Sequence, residues 1–413
     1  MHQVVITGVG VVSSLGIGVS EFGQRMFAGD SGITEIKGSR VAANFPVPFG
    51  GPVPRASLPQ PEILAHRTPE ETPHFWKLAA LATEEAICHL PDGLLVDGIV
   101  YGGHGSIAFS ITSGSFRSFE PTKFDWDAFQ PESPLTLMKD IAETRGHGPI
   151  DDRNIISLNN ACVTSNQAIG VAFQRIRSGQ WNRVLTGAVY GRWADSELMN
   201  FHMLSTLTIA PGPATQASRP FSKDRSGFVL GEGAATLILE TRESAEARGA
   251  KILGVISGYS TTSDAYRVTD GRPDGKSAAK AMQNAMTDAG LHATEISAIS
   301  AHGTSTPMND RVETMAIKQA LGEIAYKVPV ISLKSQVGHS VIAAGALEAV
   351  ACMLMLEEQK LAPTINYREL DPDCDLDYVP NQSRPAAVQR ILSNNFGFGG
   401  QNASVIFERA TQG

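Results

Sequence analysis

Residues 159–170 read NNACVTSNQAIG, and they set a single cysteine among small and amide side chains where a helix is expected to begin. Apolar residues between positions 169 and 176 recur at the spacing of one helical face, and Ser178-Gly179 ends the pattern. Cys162 therefore lies in or just before the first turn, where unpaired N–H groups and the helix dipole favour a thiolate. The alternative is a buried structural thiol, because free cysteine is among the most buried residue types. This stretch alone favours the structural thiol.

Outside this stretch, short β-rich runs alternate with helical stretches along the chain, which predicts a layered α/β fold. The predicted strands cover residues 3–7, 154–158, 183–189, 234–240, 296–301, 329–333 and 402–408. The predicted helices cover residues 74–90, 165–178, 275–289 and 340–359.

The length of the chain, 413 residues, exceeds the usual size of a single core, so we expect two domains or two fused layers. The polar segment 241–252 follows the apolar run 234–240, and we therefore divide the chain into residues 1–240 and 241–413. Hydrophobic residues make up 42% and charged residues 18%, which is ordinary for a soluble globular enzyme. The net charge of −8 argues against a general nucleic-acid-binding protein.

The cysteines Cys88, Cys162, Cys352 and Cys374 are far apart and form no CxxC pair. Neither a zinc knuckle nor a redox pair is indicated, and a reduced, cytoplasmic chain is the simplest expectation. The opening MHQVVITGVGVV lacks the basic region and the cleavage site of a signal peptide, and no apolar run is long enough to span a bilayer. Secretion and membrane insertion are therefore not expected.

The segment VVITGVGVVSSLG, residues 4–16, leads from a strand into Gly8 and Gly10, as a dinucleotide-binding fingerprint would. Ser13 stands where that fingerprint needs its third glycine. We therefore interpret the segment as a tight strand-to-loop turn.

A first histidine motif is AHGTSTPMND, residues 301–310, which follows an apolar strand. His302 stands directly beyond the strand end, and Thr304 and Thr306 add hydroxyl groups, a combination that suits a cleft in an α/β protein. Alone, His302 could equally be a hydrogen-bonded loop histidine.

A second histidine motif is ISLKSQVGHSVIAAGALEA, residues 331–349, which again runs from an apolar strand to a helix start. Its loop carries Lys334, and His339 stands at the beginning of the helix. Two histidines at equivalent strand ends favour a shared site over two unrelated loop residues.

A glycine-rich segment, SNNFGFGGQN, occupies residues 393–402, with Phe398 between glycines. Its functional interpretation is a mobile backbone that donates N–H groups to a developing oxyanion. The alternative is a plain hairpin-like connection before the closing strand.

Together these stretches resemble the elongating β-ketoacyl-acyl carrier protein synthases, the condensing enzymes of the thiolase superfamily. The resemblance covers nearly the whole chain and is carried, in family order, by TGVGVVSSLG, ACVTSNQAIG, SRPFSKDRSGFVLGEGAA, AHGTSTPMND, LKSQVGHSVIAAGALEA and SNNFGFGGQNAS. It implies a thiolase-like, five-layered αβαβα fold built from two similar halves. It also implies that no metal and no organic cofactor is needed, and that the substrates are carried on the phosphopantetheine of acyl carrier protein.

The resemblance assigns chemistry to five residues. Cys162 would take an acyl group from the carrier protein, and the carbanion formed when malonyl-acyl carrier protein loses CO2 would attack that acyl thioester. His302 and His339 match the histidines that hydrogen-bond the malonyl thioester oxygen. Lys334 and Glu348 match an ion pair that orients them.

Further roles follow from the same resemblance. The N–H groups of Cys162 and Phe398 would meet each oxyanion, and Phe398 matches a gating aromatic residue. Thr304 and Thr306 match hydroxyls that hold the pantetheine arm. The third catalytic position is His339, whereas asparagine there would indicate a starter-type synthase and cysteine a thiolase.

The substrate is suggested by departures from the housekeeping fatty-acid enzymes, which include residues 104–116 and 195–205. In the second stretch Leu198, Met199 and Phe201 could line an acyl tunnel. We therefore expect a type II polyketide or polyene pathway, and a housekeeping fatty-acid elongating synthase remains the alternative.

Two other classes remain open. A non-catalytic chain-length-factor subunit shares this fold but typically lacks the nucleophile, whereas Cys162 and both histidines are present. A cysteine hydrolase would pass the acyl group to water.

The expected partners are an acidic acyl carrier protein and a second thiolase-fold subunit, in a homodimer or a heterodimer with a chain-length factor. The apolar strand NIISL, residues 154–158, would need covering at a sheet edge.

Overall fold

The computed structural model describes residues 1–36, 49–54, 58–65, 72–103, 133–191, 195–208, 211–267, 269 and 271–410. The stretch 104–116, which the sequence places near the substrate pocket, lies outside the described residues.

The described residues form strands and helices that alternate along the chain. The strands are β1 Val4–Ser13, β2 Gly16–Ile17, β3 Thr34–Glu35, β4 Phe49–Gly50, β5 Gly98–Gly102, β6 Ile155–Leu158, β7 Arg183–Tyr190, β8 Gly233–Thr241, β9 Gly254–Ser263, β10 Ala298–Ser300, β11 Val330–Ile331, β12 Lys360–Leu361, β13 Arg384–Pro385, β14 Arg390–Gly397 and β15 Gln401–Arg409. The α-helices are Val19–Ala28, His74–Ile87, Pro134–Thr144, Thr164–Arg177, Asp195–Met203, Arg242–Ala247, Lys276–Ala289, Pro307–Leu321, Lys334–Val337 and Ala344–Glu358. Short 3-10 helices are Glu62–Leu64, Asp152–Asn154, Ala161–Val163, Ala214–Gln216, Ala293–Glu295, Gly322–Lys327 and Val341–Ala343.

The main sheet has eleven strands: two runs of five strands with the same pattern of directions, and β2, which pairs with β1. One run is ordered β6-β5-β7-β8-β1 and the other β11-β10-β14-β15-β9. In each run the first two pairings are parallel and the last two are antiparallel. The runs join where β1 pairs antiparallel with β9 over three residues, Val4 to Ile6. This repetition is what two similar halves produce.

Helices cover both faces of each run. The Thr164–Arg177 and Ala344–Glu358 helices contact strands of both runs and so form a central layer. The His74–Ile87 helix packs on β1 and β8 of the first run, and the Lys276–Ala289 helix packs on β9 and β15 of the second. The order helix, sheet, helix, sheet, helix confirms the predicted five-layered α/β fold.

The sequence of the inner elements explains this layering. The strand β8 is buried at all nine positions, as expected for a strand covered on both faces, and its sequence GAATLILET is correspondingly apolar. The Ala344–Glu358 helix is likewise buried around most of its circumference and carries almost no amphipathic pattern.

The first glycine motif has a packing role. The segment 4–16 continues as strand β1 to Ser13, so the predicted strand-to-loop turn over these residues is wrong. A Cβ at Gly8 would lie 2.3 Å from the carbonyl oxygen of Ala86, and one at Gly10 would lie 2.0 Å from that of Ala82. The glycines therefore let the His74–Ile87 helix pack directly on the strand.

Several predicted elements need correction at their ends. The segment 393–402 is strand up to Gly397, so it is more than a turn, and the strand predicted at 329–333 is only Val330–Ile331. The strand β6 lies at the end of the sheet and is partly exposed, which confirms the edge position expected for NIISL. Within the described residues, none of the helices combines the length and apolarity needed to cross a bilayer.

Candidate active site

The predicted nucleophile lies on a strained turn between strand and helix. Cys162 is in the 3-10 turn Ala161–Val163, directly before the Thr164–Arg177 helix. Ala161 has a φ of 49°, which is uncommon for a residue with a Cβ and is found preferentially at functional sites. The Thr164 hydroxyl donates to the Ala161 carbonyl at 2.6 Å and accepts from the Asn160 N–H at 2.8 Å, which fixes the turn.

The structure brings the cysteine and both histidines together. The Nε2 of His339 lies 3.1 Å from the Sγ of Cys162. The ring of His302 is nearly perpendicular to that of His339, with 5.3 Å between the ring centroids. All three side chains are buried. Residues from the central turn and from two strand ends of the other half therefore form one constellation.

Behind the histidines is the predicted ion pair. The Nζ of Lys334 donates to the Oε1 of Glu348, and both side chains are buried. The second carboxylate oxygen, Oε2, accepts from the Nδ2 of Asn395 at 2.8 Å. The same Nδ2 lies 3.4 Å from the Nδ1 of His302, so Asn395 connects the ion pair to a histidine.

Both histidines are held in the neutral form. Burial lowers the pKa of His302 well below its ordinary value, and electrostatic interactions with Lys334 and His339 lower it further. Burial and Lys334 act in the same direction on the pKa of His339. Each ring then carries one N–H donor at neutral pH, which suits hydrogen bonding to a developing negative charge.

The structure favours a protonated thiol at Cys162, whereas the sequence predicted a thiolate. Burial raises the pKa of Cys162 to about 11, although Lys334 and the N–H groups of Phe398 and Cys162 lower it. The expectation that the helix start supplies a thiolate is therefore wrong for the resting site, because burial outweighs the dipole and the N–H groups. Attack by this thiol requires its proton to leave as the new bond forms, and His339 is the nearest base.

The predicted oxyanion donors converge on the cysteine. Hydrogen bonds from the backbone N–H groups of Phe398 and Cys162 to the cysteine sulfur lower the pKa of Cys162, so both donors lie close to the reacting atom. The Phe398 ring is 6.4 Å from that of Phe201. A gating role for Phe398 stays a prediction.

A cavity of about 290 Å³ opens onto these residues. Cys162, His302, His339 and Phe398 are among its lining residues. Thr304 and Thr306 line it as well, and their hydroxyls share a hydrogen bond of 2.9 Å. Thr306 also caps the Pro307–Leu321 helix by accepting from the Asn309 N–H at 3.3 Å. The cavity is therefore lined both by the predicted catalytic residues and by the two threonine hydroxyl groups.

Of the three residues predicted to line an acyl tunnel, only one lines this cavity. Phe201 lines the cavity and packs edge-to-face on Phe228, with 5.4 Å between the ring centroids. Leu198 is buried in the main core and Met199 is exposed, and neither lines this cavity. Their role in substrate binding stays a prediction.

Two residues of the site were missed at the level of sequence. One is Asn395, and the other is Glu313, whose carboxylate accepts from the N–H of His302 at 2.8 Å and of Gly303 at 2.7 Å. Burial raises the pKa of Glu313 to about 8. A signal did exist, because Glu313 shares a helical face with the buried residues Ala316 and Ile317.

The same three side chains offer a sulfur atom and two ring nitrogens that could bind a metal ion. The Sγ of Cys162 and ring nitrogens of His302 and His339 all lie within 4.8 Å of one another. Thiolate and imidazole are the ligands of zinc and other soft divalent ions. Because the three side chains also form the predicted catalytic set, a metal ion here would compete with the acyl substrate.

Comparison with known proteins agrees with the sequence motifs. The β-ketoacyl synthase N-terminal domain family matches residues 155–245, and the C-terminal domain family matches residues 253–368. The 3-oxoacyl-acyl-carrier-protein synthase 2 of Synechocystis sp. is 37% identical over 98% of both chains. The putative polyketide β-ketoacyl synthase 1 of Streptomyces cyaneus is 35% identical over 98% of this chain and 97% of that protein.

A solved structure matches over the whole fold. It is a type II polyketide synthase acyl carrier protein in complex with its ketosynthase bound to the hexaketide, AntDE:AntF. The match has a TM-score of 0.86 and 32% sequence identity, and it covers 99% of this chain and 100% of that chain. The fold, the Cys-His-His geometry and these matches together show that the chain belongs to the β-ketoacyl synthase family of condensing acyltransferases.

Proposed function

We propose that this chain joins a malonyl unit to an acyl chain stored on Cys162, with both substrates delivered by acyl carrier protein. The observation that carries the proposal is the placement of Cys162, His302 and His339 on one cavity, with the His339 Nε2 only 3.1 Å from the cysteine sulfur. Covalent storage divides one difficult carbon–carbon bond formation into two easier steps.

The first step is acyl transfer. The Sγ of Cys162 attacks the thioester carbonyl, a sulfur–carbon bond forms, and the bond to the phosphopantetheine sulfur breaks. The thiol proton passes to the departing sulfur, and His339 is placed to relay it. The negative oxygen of the tetrahedral intermediate meets the N–H groups of Cys162 and Phe398, the arrangement of an oxyanion hole.

The second step is decarboxylation and condensation. The bond between the malonyl methylene carbon and its carboxylate breaks, CO2 leaves, and the electron pair forms an enolate whose oxygen is stabilised by N–H groups of His302 and His339. The methylene carbon then attacks the acyl carbonyl on Cys162, so a carbon–carbon bond forms and the sulfur–carbon bond breaks. The Cys162 thiolate that leaves takes up one proton from solvent, and the site is ready for another acyl group.

Two kinds of partner complete this account. The pantetheine arm of acyl carrier protein would enter along Thr304 and Thr306, which line the cavity. A second thiolase-fold subunit, either another copy or a chain-length factor, would cover the partly exposed edge strand β6. A purely structural role as the chain-length factor itself is disfavoured, because the nucleophile and both histidines are in place.

For the pathway we favour a type II polyketide or polyene chain as the substrate. The full-length similarity to the Streptomyces cyaneus protein supports this, as does the fold match to a ketosynthase bound to a hexaketide. The second candidate is fatty-acid elongation, which the 37% identity to the Synechocystis synthase favours. The reaction is the same in both, and only the acyl chain differs.

A competition experiment tests this choice. Saturated, polyunsaturated and β-keto acyl-carrier proteins are supplied together with malonyl-carrier protein, and the extended products are separated by mass. We expect faster turnover of the polyunsaturated or β-keto chains. Because one methylene in an apolar pocket changes discrimination by only about 1–3 kcal/mol, chain lengths must be matched. Preference for saturated chains, with rescue of a strain that lacks its own elongating synthase, would identify the fatty-acid enzyme.

A further inference from the structure

Asn395 occupies a position between the ion pair and a catalytic histidine. It lies on β14 and is fully buried. Its Nδ2 donates to the Oε2 of Glu348 at 2.8 Å and lies 3.4 Å from the Nδ1 of His302. An amide NH2 group has two protons, so one nitrogen can serve both acceptors.

The orientation of this amide is determined by its surroundings. The Glu348 carboxylate is paired with Lys334 and accepts hydrogen bonds, so the amide must turn Nδ2 towards it. The amide oxygen faces Gly345, and a Cβ on that glycine would lie only 2.2 Å from it. Among the described residues, this Oδ1 has no hydrogen-bond partner. The missing side chain of Gly345 therefore provides the room in which Asn395 adopts this orientation.

The consequence concerns the tautomer of His302. We propose that Asn395 is a positioning residue that fixes His302 as the Nε2–H tautomer, because its NH2 group gives Nδ1 a proton to accept. The other ring nitrogen, Nε2, then carries the proton and presents an N–H donor on the side of the ring away from Asn395. This inference rests on the proposed function, in which His302 donates a hydrogen bond to the enolate oxygen.

The wild-type protein alone provides the first test. In protein labelled with ¹⁵N-histidine, the His302 ring signals are identified by their loss in His302→Gln. We expect a protonated Nε2 and an unprotonated Nδ1 in the neutral ring. A His302 ring that is protonated at Nδ1 would overturn the inference, whatever any variant does.

Asn395→Asp is the most informative variant, since it replaces the NH2 group by an oxygen in the same shape. The new carboxyl group lies beside the buried Glu348 carboxylate and must share one proton with it, so no second proton is left for His302. Its oxygen therefore accepts from His302, and we expect the ring to change to the Nδ1–H tautomer. Release of CO2 from malonyl-carrier protein should fall about 10–100-fold, as for other residues that orient a reacting group. Self-acylation of Cys162 should stay close to the wild-type rate. Wild-type CO2 release by this variant would contradict the inference.

Two further variants separate positioning from folding. Gly345→Ala places a Cβ 2.2 Å from the Asn395 oxygen and 2.4 Å from the Oδ1 of Asn166, and it should reduce CO2 release without removing any polar group. Asn394→Asp is the matched control, because Asn394 is on the same strand but bonds to Ser404 and Met282 instead. If Asn394→Asp lost as much CO2 release as Asn395→Asp, the effect would be a general one of a buried aspartate, and the inference would fail.

Comparing His302→Ala with Asn395→Asp distinguishes a failure of this inference from a failure of the proposed function. Wild-type CO2 release by His302→Ala would show that the function proposed for the histidine is wrong. Loss of CO2 release by His302→Ala, with an unaltered rate and tautomer in Asn395→Asp, would refute only the role of Asn395.

Discussion

The two halves of the molecule contain the same strained turn with different side chains. Ala161 and Val341 have φ angles of 49° and 43°, and each opens a 3-10 turn that leads into a helix of the central layer. The first turn carries Cys162, whereas the second carries the apolar Ile342 at the equivalent place. The Ser165 hydroxyl donates to the Ile342 carbonyl, so the second turn supports the first. The backbone is repeated, and the reactive group is present only once.

The other charged and titratable side chains of the candidate site all come from one half. His302, His339, Lys334 and Glu348 all belong to the second half, and the cysteine from the first half is inserted among them. Lys334 lowers the pKa of both histidines and also of Cys162, although burial dominates each shift. In the proposed function, the first half would store the acyl group, while the second half controls the charge around it.

The largest effect is expected from Cys162→Ala, which removes the contribution of the first half. No other described cysteine lies on this cavity, so acyl transfer and condensation should both be abolished. Intact-mass measurement after mixing with acyl-carrier protein gives the answer. An acyl adduct that persists on the variant would show that Cys162 is not the nucleophile.

The next largest effect is expected from removing either histidine of the second half. His302→Ala should keep self-acylation, and both His302→Ala and His339→Ala should lose most malonyl decarboxylation, by about 10²–10³-fold for each lost donor. His339 contacts the sulfur, so its removal should slow self-acylation more than removal of His302 does. Radiolabelled CO2 release and adduct formation are measured on the same samples. Either variant releasing CO2 at the wild-type rate would remove that histidine from the mechanism.

Lys334→Met should affect stability as well as activity. It leaves the carboxylate of Glu348 buried without its partner, which typically costs about 3–5 kcal/mol. The double variant Lys334→Met/Glu348→Gln is the control and should recover part of this loss, because it removes the unpaired charge. Urea denaturation measures both. A loss in the single variant below about 1 kcal/mol would mean that the pair is not buried as described.

The smallest effect is on the pH dependence of thiol alkylation. Because burial raises the pKa of Cys162 to about 11, its thiolate fraction at neutral pH should be lower than that of an exposed thiol. Iodoacetamide modification of the Cys162 peptide should rise about tenfold per pH unit and show no plateau below about pH 9. A plateau near neutral pH would instead support the thiolate that the helix start alone would predict.

The sequence predicted the fold and the residues that meet at the candidate site for a definite reason. Cys162, His302 and His339 each follow a strand or begin a helix inside a long motif, and such local signals are visible in one dimension. Asn395 was missed because its partners, His302 and Glu348, are far away along the chain and meet it only after the halves pack together.

The protonation of Cys162 was mispredicted for a related reason. The helix dipole can be inferred from sequence, whereas the degree of burial depends on the completed fold. Burial decides the pKa here. Likewise, Leu198 and Met199 are adjacent in sequence and yet one is buried and the other exposed, which only the orientation of their helix determines.

A single-turnover experiment tests the central claim most directly, that the first half stores an acyl group which the second half extends. Enzyme acylated on Cys162 is freed of acyl-carrier protein and mixed with malonyl-carrier protein, and CO2, released acyl groups and products are counted together. The account predicts one CO2 and one β-ketoacyl-carrier protein for each acyl group that leaves the cysteine. Release of the acyl group as free acid, without carbon–carbon bond formation, would contradict it and identify a cysteine hydrolase.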